Sequence, residues 1–252
     1  MLKIRIIPML LLKNGRMVKG KKFRDYRDTG DPIYTSRVYN SQYVDELVFL
    51  DIDATKENRE TDHNVIGEVS KECFMPLSIG GGVKSIEGIR KLLENGADKV
   101  IITTEAVRNP QFISDAAQVF GNQCIVVGID VRFEDGRYVV YTHSGTQVAP
   151  ILLQEHIQLM EKMGAGEIFI NSIDHDGMMN GYDHQLIRLV MSHTTLPVIA
   201  GGGAGNLMHL VQAVKETKVS ALAMASIYHF GDNNPIRARS YLKNNGIQVK
   251  SI

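Results

Sequence analysis

Eight short apolar segments, each followed by a stretch with helical spacing, recur along the 252-residue chain. Segments that are apolar throughout are typical of parallel strands covered by helices on both faces. The predicted strands are IRIIPML (4–10), ELVFLDI (46–52), MPLSIG (75–80), KVIIT (99–103), CIVVGID (124–130), EIFINS (167–172), LPVIAG (196–201) and SALAMA (220–225). Eight such units predict an α/β protein with a closed (β/α)₈ barrel, a TIM barrel; an open doubly wound sheet is the alternative.

The chain also resembles itself at a shift of 121 residues. DELVFLDIDAT matches GEIFINSIDHD, which pairs Glu46 with Glu167, and PLSIGGGVKSIEGI matches PVIAGGGAGNLMHL. This repeat predicts one barrel domain over 1–252, built from two half-barrels of about 1–121 and 122–252. The segment 86–96 reads as one of its helices, with apolar residues at helical spacing.

Composition excludes several classes of protein. The 28 Lys and Arg residues balance 28 Asp and Glu, so the chain lacks the excess positive charge of a nucleic-acid or membrane-surface binder. Its apolar runs are too short to span a membrane, and its N-terminus does not resemble a signal peptide. Cys73 and Cys124 form neither a disulfide framework nor a CxxC metal site. We therefore expect a cytoplasmic protein.

Each half carries a GGG directly after a predicted strand, and one strand later a turn of small residues. Glycines let the backbone approach a ligand, and free N–H groups at the start of the next helix attract anions. The alternative is that the glycines only turn the chain. Barrels of this kind have their chemistry at the carboxyl ends of the strands, and both copies fall there, so we predict two phosphate sites for one elongated ligand. Their residues are Gly81, Gly82, Thr103 and Thr104 in the first half, and Gly202, Gly203, Ala225 and Ser226 in the second.

Two further features follow strands at this face. Lys19, in the basic loop NGRMVKGKKF after the first strand, is placed to close over a phosphate, unless that loop is merely solvated. Asp130 ends the fifth strand, where an acid can transfer protons or simply cap the next segment. Laying the first strand and its end (6–13) on the fifth (125–132), a shift of 119, pairs Leu11 with Asp130, so a symmetric two-acid site is not possible. No HExxH motif or Cys/His cluster occurs, and we expect neither a metal nor a cofactor.

Over essentially its whole length the chain resembles the cyclase subunit of imidazole glycerol phosphate synthase. The matching segments include RIIP (5–8), KNGRMVKG (13–20), DELVFLDI (45–52), GNQCIVVGID (121–130), SIDHDGMMNGYD (172–183) and GGGAGN (201–206). The resemblance implies a (β/α)₈ barrel that forms a heterodimer with a glutaminase at its amino-terminal face. It also implies that ammonia released there crosses the barrel to a phosphorylated ligand at the carboxyl-terminal face.

The resemblance assigns roles residue by residue. It implies an ammonia gate, and this sequence matches the family's four gate charges at Arg5, Glu46, Lys99 and Glu167; the alternative is a structural plug. Asp98 and Gln123 match positions that face the glutaminase. The positions that match ligand contacts are Lys19, Asp51, Thr104, Asp130, Ser144, Asp176, Gly177 and Ser226.

The sequence departs from the family at positions that the resemblance assigns to catalysis and ligand binding. The family's first-strand catalytic aspartate is Leu11, and its Lys-Asn-Thr-Gly run is replaced by residues 147–150. The segments LLLKNG (10–15), LDIDATKENRE (50–60) and YTHSGT (141–146) resemble a cyclase-like branch associated with acetamidino-sugar formation in bacterial surface polysaccharides. In that branch ammonia passes to a separate sugar amidotransferase.

Three interpretations of the function follow from these observations. The one we favour is an ammonia-channelling subunit for acetamidino-sugar formation. The second is a cyclase of histidine biosynthesis in which another group replaces the lost acid. The third is a non-catalytic phosphate-binding activator of the glutaminase. The related ribotide isomerase, also a duplicated barrel, is a weaker alternative, because the gate residues match the cyclase.

Overall fold

The computed structural model describes residues 3–250 and contains one twelve-stranded sheet. Its strands are β1 (Arg5–Lys13), β2 (Arg16–Lys21), β3 (Arg24–Gly30), β4 (Leu47–Asp51), β5 (Leu77–Gly80), β6 (Lys99–Ile102), β7 (Ile125–Glu134), β8 (Arg137–Thr142), β9 (Gln147–Leu152), β10 (Glu167–Ser172), β11 (Val198–Gly201) and β12 (Ala221–Met224). Eight of them, β1, β4, β5, β6, β7, β10, β11 and β12, pair in parallel with their neighbours. The pairing of β7 with β10 closes the circle, which confirms the (β/α)₈ barrel and excludes the open sheet.

Helices follow the barrel strands and cover the sheet from outside. They are α1 (Pro32–Ser41), α2 (His63–Glu72), α3 (Ile86–Glu94), α4 (Thr104–Arg108), α5 (Gln111–Phe120), α6 (Leu153–Lys162), α7 (His184–Met191), α8 (Leu207–Thr217), α9 (Ser226–His229) and α10 (Pro235–Asn244). The start of α3 shows how sequence sets these boundaries. The Ser85 hydroxyl accepts a hydrogen bond from the Gly88 N–H at 2.9 Å, satisfying a donor that the first helical turn leaves free.

Two antiparallel insertions rise above the carboxyl ends of the strands, one in each half. The hairpin of β2 and β3 follows β1, and β8 and β9 follow β7. The expectation of a loop at NGRMVKGKKF was therefore wrong: β1 runs on to Lys13, and 16–21 pairs with its end as β2. Likewise, β7 continues four residues beyond the predicted strand, to Glu134.

The barrel buries two separate apolar cores. The larger core lies between the sheet and the helices. The smaller one fills the inside of the barrel and consists of inward-facing strand residues, among them Ile7, Met9, Leu11, Val48, Ile101, Val126, Phe169, Ile199, Ala221 and Ala223. Side chains alternate between the two faces of a strand, so every second residue points into the barrel. This period decides which residues line the site.

Candidate active site and ion-pair ring

Four charged side chains close the amino-terminal end of the barrel in one ring. Arg5 donates to the Glu46 carboxylate at 2.6 Å and also forms an ion pair with Glu167. Lys99 Nζ lies 3.0 Å from Glu46 and 2.8 Å from Glu167. Each cation therefore contacts both anions, and each anion both cations. The structure thus brings together the four residues that the resemblance predicts as an ammonia gate.

Pairing offsets the cost of burying these charges, because two positive and two negative groups neutralise one another. Glu46 is the most buried of the four side chains, and it accepts a further hydrogen bond from the Ser78 hydroxyl at 2.6 Å. Burial alone would lower the pKa of Arg5, but Glu167 and Glu46 outweigh that effect and raise the pKa. The ring therefore forms a floor of four mutually paired polar side chains.

A cavity opens at the carboxyl end of the same barrel. Inward-facing glycines create room for it: a Cβ at Gly80 would lie 2.8 Å from Leu50, and one at Gly201 2.8 Å from Phe169. Apolar side chains form the deeper wall, and polar groups cluster at the strand ends. The lining residues include Met9, Leu11, Tyr26, Asp51, Gly81, Gly82, Thr103, Thr104, Asp130, Ser144, Phe169, Asn171 and Asp176.

Asp130 is the lining acid without a cationic partner among the described residues. Its one hydrogen bond comes from the Asn171 amide nitrogen at 3.4 Å. Burial raises the pKa of Asp130 to about 7; the Asn171 bond lowers it and the charge of Asp176 raises it further. A carboxyl group with a pKa near neutrality can both donate and accept a proton under physiological conditions.

The other two lining acids are held by cations. Arg59 binds the Asp51 carboxylate through two nitrogens, at 2.6 and 3.0 Å. Lys19 Nζ contacts both oxygens of Asp176, at 2.6 and 2.7 Å, and only 2% of its surface is exposed. The lysine predicted to close over a phosphate therefore lies in a buried ion pair with a predicted ligand residue.

The hairpin of β2 and β3 covers the mouth of the cavity. Phe23 and Tyr26 form part of the lining, and the Lys22 N–H donates to the Asp176 carbonyl at 2.8 Å. A Cβ at Gly177 would lie 2.1 Å from the Gly20 carbonyl oxygen, so the loop after β10 fits against the hairpin only with glycine there. The hairpin therefore acts as a roof in direct contact with two predicted ligand residues.

The first predicted phosphate site is occupied by contacts within the chain. The Gly82 N–H points to the Thr55 hydroxyl at 3.2 Å, and a Cβ at Gly81 would lie 2.1 Å from the Asp51 carbonyl. The Thr104 hydroxyl accepts from the His143 N–H at 3.1 Å, while Thr103 lines the cavity. These glycines are needed for close packing of the loops, and their role toward phosphate stays a prediction.

The second predicted site leaves a polar atom free. Ser226 is buried at the start of α9, and its hydroxyl has no hydrogen-bond partner among residues 3–250. Ala225 precedes it after β12, and Gly203 accepts from the Gly181 N–H at 2.8 Å. A Cβ at Gly202 would lie 2.6 Å from the Ser172 carbonyl. The Ser226 oxygen is enclosed, however, and Ser226, Ala225, Gly202 and Gly203 do not line the cavity, so the second phosphate site stays a prediction.

The remaining predicted residues lie either in the cavity lining or at the amino-terminal end of the barrel. Leu11 lines the cavity, as does Ser144, whose hydroxyl donates to the Ile52 carbonyl at 2.7 Å. Asp98 and Gln123 are exposed in segments that lead into β6 and β7, at the same end as the ring. Asp98 also accepts a hydrogen bond from the Leu77 N–H at 2.8 Å.

Three contributors to the site were not predicted. Arg59 and Tyr26 come from segments that read as surface loops, and Asn171 reads as the end of a buried strand. For Asn171 a signal was present: an amide in the otherwise apolar run EIFIN needs a partner at the buried end of a strand. Burial raises the pKa of Tyr26, and the charge of the nearby Asp176 raises it further. The Tyr26 hydroxyl therefore stays protonated.

Residues 5–234 match the family described as histidine biosynthesis protein. The chain belongs to this family. Its members are generally enzymes of histidine biosynthesis, and the match indicates a barrel enzyme of the cyclase and isomerase type without choosing between them.

Within residues 3–250 no cluster of three or more His, Cys, Asp or Glu is arranged to hold a metal ion. None of the helices in that range combines the length and apolar character needed to cross a bilayer.

Proposed function

We propose that this protein is a cyclase-like subunit that receives ammonia from a partner glutaminase through its barrel and supplies it for acetamidino-sugar formation. The observation that carries the proposal is the closed ring of Arg5, Glu46, Lys99 and Glu167 beneath an apolar barrel interior. A plug of the floor needs only apolar side chains. Four matched charges form a barrier in which Arg5 stays paired with both glutamates when Lys99 moves aside.

The apolar interior suits a small neutral molecule. Between the ring and the cavity the inward-facing side chains carry no charge, and three of them, Ala221, Ala223 and Ala225, are small. Ammonium ions pay a high desolvation cost in such surroundings, whereas neutral ammonia does not. Opening requires one ring side chain to move aside, and Lys99, with its flexible four-carbon stem, is the candidate.

The amino-terminal face offers a surface for the glutaminase. Tyr43 and Phe74 precede β4 and β5 and are 62% and 86% exposed. Asp98 and Gln123 lie in the corresponding segments before β6 and β7. Exposed aromatic residues surrounded by polar groups are typical of protein interfaces. We therefore assign this rim, Tyr43, Phe74, Asp98 and Gln123, to the contact with the partner.

The cavity supports transfer to an acceptor other than the histidine-pathway ribotide. Ring closure in the family uses an acid at position 11, and here the buried Leu11 cannot exchange a proton. We expect a phosphorylated ligand to reach Ser226 and Lys19 only after local rearrangement, because neither residue lines the cavity and Lys19 is held by Asp176. The sugar itself is amidated on a separate amidotransferase that accepts the ammonia.

A second candidate function is the complete cyclase reaction. Asp130, whose pKa of about 7 fits proton transfer in either direction, favours it. Here Asp130 alone would have to perform both acid and base steps. General acid–base catalysis contributes roughly 10²–10⁴-fold, so loss of one partner predicts a correspondingly slow enzyme.

The test combines the purified chain with a candidate partner glutaminase. We expect glutamine hydrolysis to rise when the two are mixed, and no turnover of the bis-phosphate ribotide with ammonium salt. Amidated sugar should form only after the sugar amidotransferase is added. Ribotide turnover would establish the cyclase instead. Stimulated hydrolysis without amidated sugar would leave only an activator, and the absence of any complex with a glutaminase would overturn the proposal.

A further inference from the structure

One face of the insertion formed by β7, β8 and β9 continues the inner surface of the barrel above its mouth. In one row of this face Asp130 pairs with Tyr141, and Tyr141 pairs with Val148. In the next row Val139 pairs with Leu152. Because Asp130 lines the cavity and alternate strand residues share a face, these rows extend outward from the cavity.

The outer part of this face is apolar and exposed. Val148 is 60% exposed and Leu152 51%, and Pro150 between them is exposed as well. Ala149, on the opposite face, is buried in the core between sheet and helices. We call Val148, Pro150 and Leu152 the platform. Scattered apolar residues are ordinary on a surface, but contiguous ones on one face typically mark a contact with another molecule.

The platform offers its side chains rather than its backbone. It belongs to β9, which lies at the edge of the sheet. Pro150 has no N–H group, so a further strand could not hydrogen-bond along the whole of that edge. A binding partner therefore packs onto the face of β9 and does not extend the sheet.

A cationic recess adjoins this face. Arg132 links the two, because its guanidinium lies 4.8 Å from the Tyr141 ring and also lines the recess. Four cations line the recess against two aspartates: Lys21, Lys22, Arg24 and Arg132 against Asp25 and Asp174. The three cations from the roof hairpin are exposed and form no ion pair within residues 3–250. The recess therefore suits acidic groups of a partner.

We propose that the platform and the cationic recess form the docking surface for the enzyme that accepts the ammonia, and that this partner presents an apolar segment flanked by acidic side chains. The surface lies beside the cavity mouth, where neutral ammonia leaves an apolar interior and meets water that protonates it. A protein seated there separates the mouth from solvent. The inference rests on the proposed function, which requires a separate acceptor.

The charges favour this occupant over two others. A second copy bound symmetrically through the same surface would bring two cationic recesses together, and like charges across an interface are unfavourable. A membrane surface is disfavoured because the chain has no excess of positive charge, with 28 Lys and Arg against 28 Asp and Glu.

The platform is tested by measuring the affinity of the full chain, in complex with its glutaminase, for a candidate sugar amidotransferase. Val148→Asp and Leu152→Asp each place a charge in the apolar contact and should weaken binding roughly ten-fold or more. Val119→Asp is the matched control, since Val119 is 52% exposed on α5, and should leave the affinity unchanged. Circular dichroism checks that each variant is folded; if one platform variant is not, the other decides.

The recess is tested by salt. Binding of the natural chain should weaken as potassium chloride rises from about 0.05 to 0.3 M, because salt screens exposed charges. Lys21→Glu combined with Arg24→Glu should weaken binding at low salt and remove most of the salt dependence. Lys215→Glu combined with Lys243→Glu makes the same charge change in the last turns of α8 and α10 and should retain the natural behaviour.

Equal amidotransferase affinity in the platform variants and the control would overturn the docking surface. So would platform variants that lose self-association in sedimentation, or binding to anionic phospholipid vesicles, in place of amidotransferase binding, since the occupant would then be a second copy or a membrane. Glutaminase stimulation should be the same in both platform variants as in the natural chain. If the natural chain stimulates no glutaminase, the proposed function falls; if it forms amidated sugar and all variants bind alike, only this inference falls.

Discussion

Asp130 is a carboxyl group whose ionisation opposes folding. Its pKa is raised by burial to about 7, against 3.8 for the ordinary side chain, so the native state holds the proton longer than the unfolded state does. Stability therefore falls as pH rises from about 4 to 7, by about 2–4 kcal/mol.

Asp130→Asn removes this penalty. We expect the variant to gain stability over the natural chain at pH 8 but not at pH 4, as measured by urea unfolding at both pH values. A difference between variant and natural chain that is the same at both pH values would show that Asp130 is not buried as described.

His156 acts in the opposite sense. It is fully buried in α6, neither ring nitrogen has a partner among residues 3–250, and burial lowers its pKa from 6.5 to about 4. The unfolded chain takes up a proton that the native state refuses, so this residue reduces stability as pH falls from about 6.5 to 4, by about 3 kcal/mol.

We expect His156→Leu to lessen the acid sensitivity of unfolding in that window. Part will remain, because burial and Lys19 also lower the pKa of His229 to about 4. His193→Leu, a change at a half-buried histidine that hydrogen-bonds Leu189, serves as the comparison and should keep the full sensitivity. An unchanged slope in His156→Leu would contradict the assignment.

At the residue scale, individual site side chains could be predicted from the sequence more readily than the side chains they contact. Asp130 and the aligned Leu11 follow from the repeat alone, because strand ends in a barrel share one face. The pairing of Lys19 with Asp176 joins positions 157 residues apart, and local spacing carries no information about it. Asn171 was missed because its role depends on Asp130, its register partner on the neighbouring strand β7.

At the element scale one buried ion pair, Lys19 with Asp176, joins the roof hairpin to the loop after β10. Removing one member leaves an uncompensated buried charge, which typically costs about 3–5 kcal/mol. We expect Lys19→Met to lower the free energy of unfolding by roughly that amount and to expose the hairpin to proteolysis.

The double variant Lys19→Met with Asp176→Asn should recover most of the loss, since no unpaired charge remains. Urea unfolding and limited trypsin digestion of all three proteins measure the coupling. Equal losses for the single and the double variant would show that the hairpin is held by other contacts.

The eight barrel strands could be predicted because each is an apolar run of the right length. The hairpin could not: β3, with the sequence RDYRDTG, is largely exposed and polar, so it lacks the alternation that marks a strand. The hairpin forms because β2 pairs with the end of β1 and β3 pairs with β2. These pairings depend on the three-dimensional structure and leave no local pattern in the sequence.

At the scale of the whole molecule, the ring of four charges joins strands from both halves. Glu46 should be its most sensitive member, because it accepts from Arg5, Lys99 and Ser78. We expect Glu46→Leu to reduce the free energy of unfolding by about 3 kcal/mol or more. Glu68→Leu, which removes an exposed carboxylate beside Lys71, should change it by less than about 1 kcal/mol.

Urea unfolding of both variants measures the difference. Equal small effects would show that the ring is solvated and contributes little to the barrel floor. The position of the ring at the start of strands was predictable, and so was its composition by resemblance. The closure of all four ion pairs required the barrel itself.

Passage of ammonia through the barrel is the central claim, and an isotope competition tests it most directly. The chain, its glutaminase and the sugar amidotransferase are given glutamine labelled with ¹⁵N at the amide, in excess unlabelled ammonium, and the amidated sugar is analysed by mass spectrometry. We predict that the product keeps the glutamine label. A product whose label has equilibrated with the surrounding ammonium would contradict delivery through the barrel.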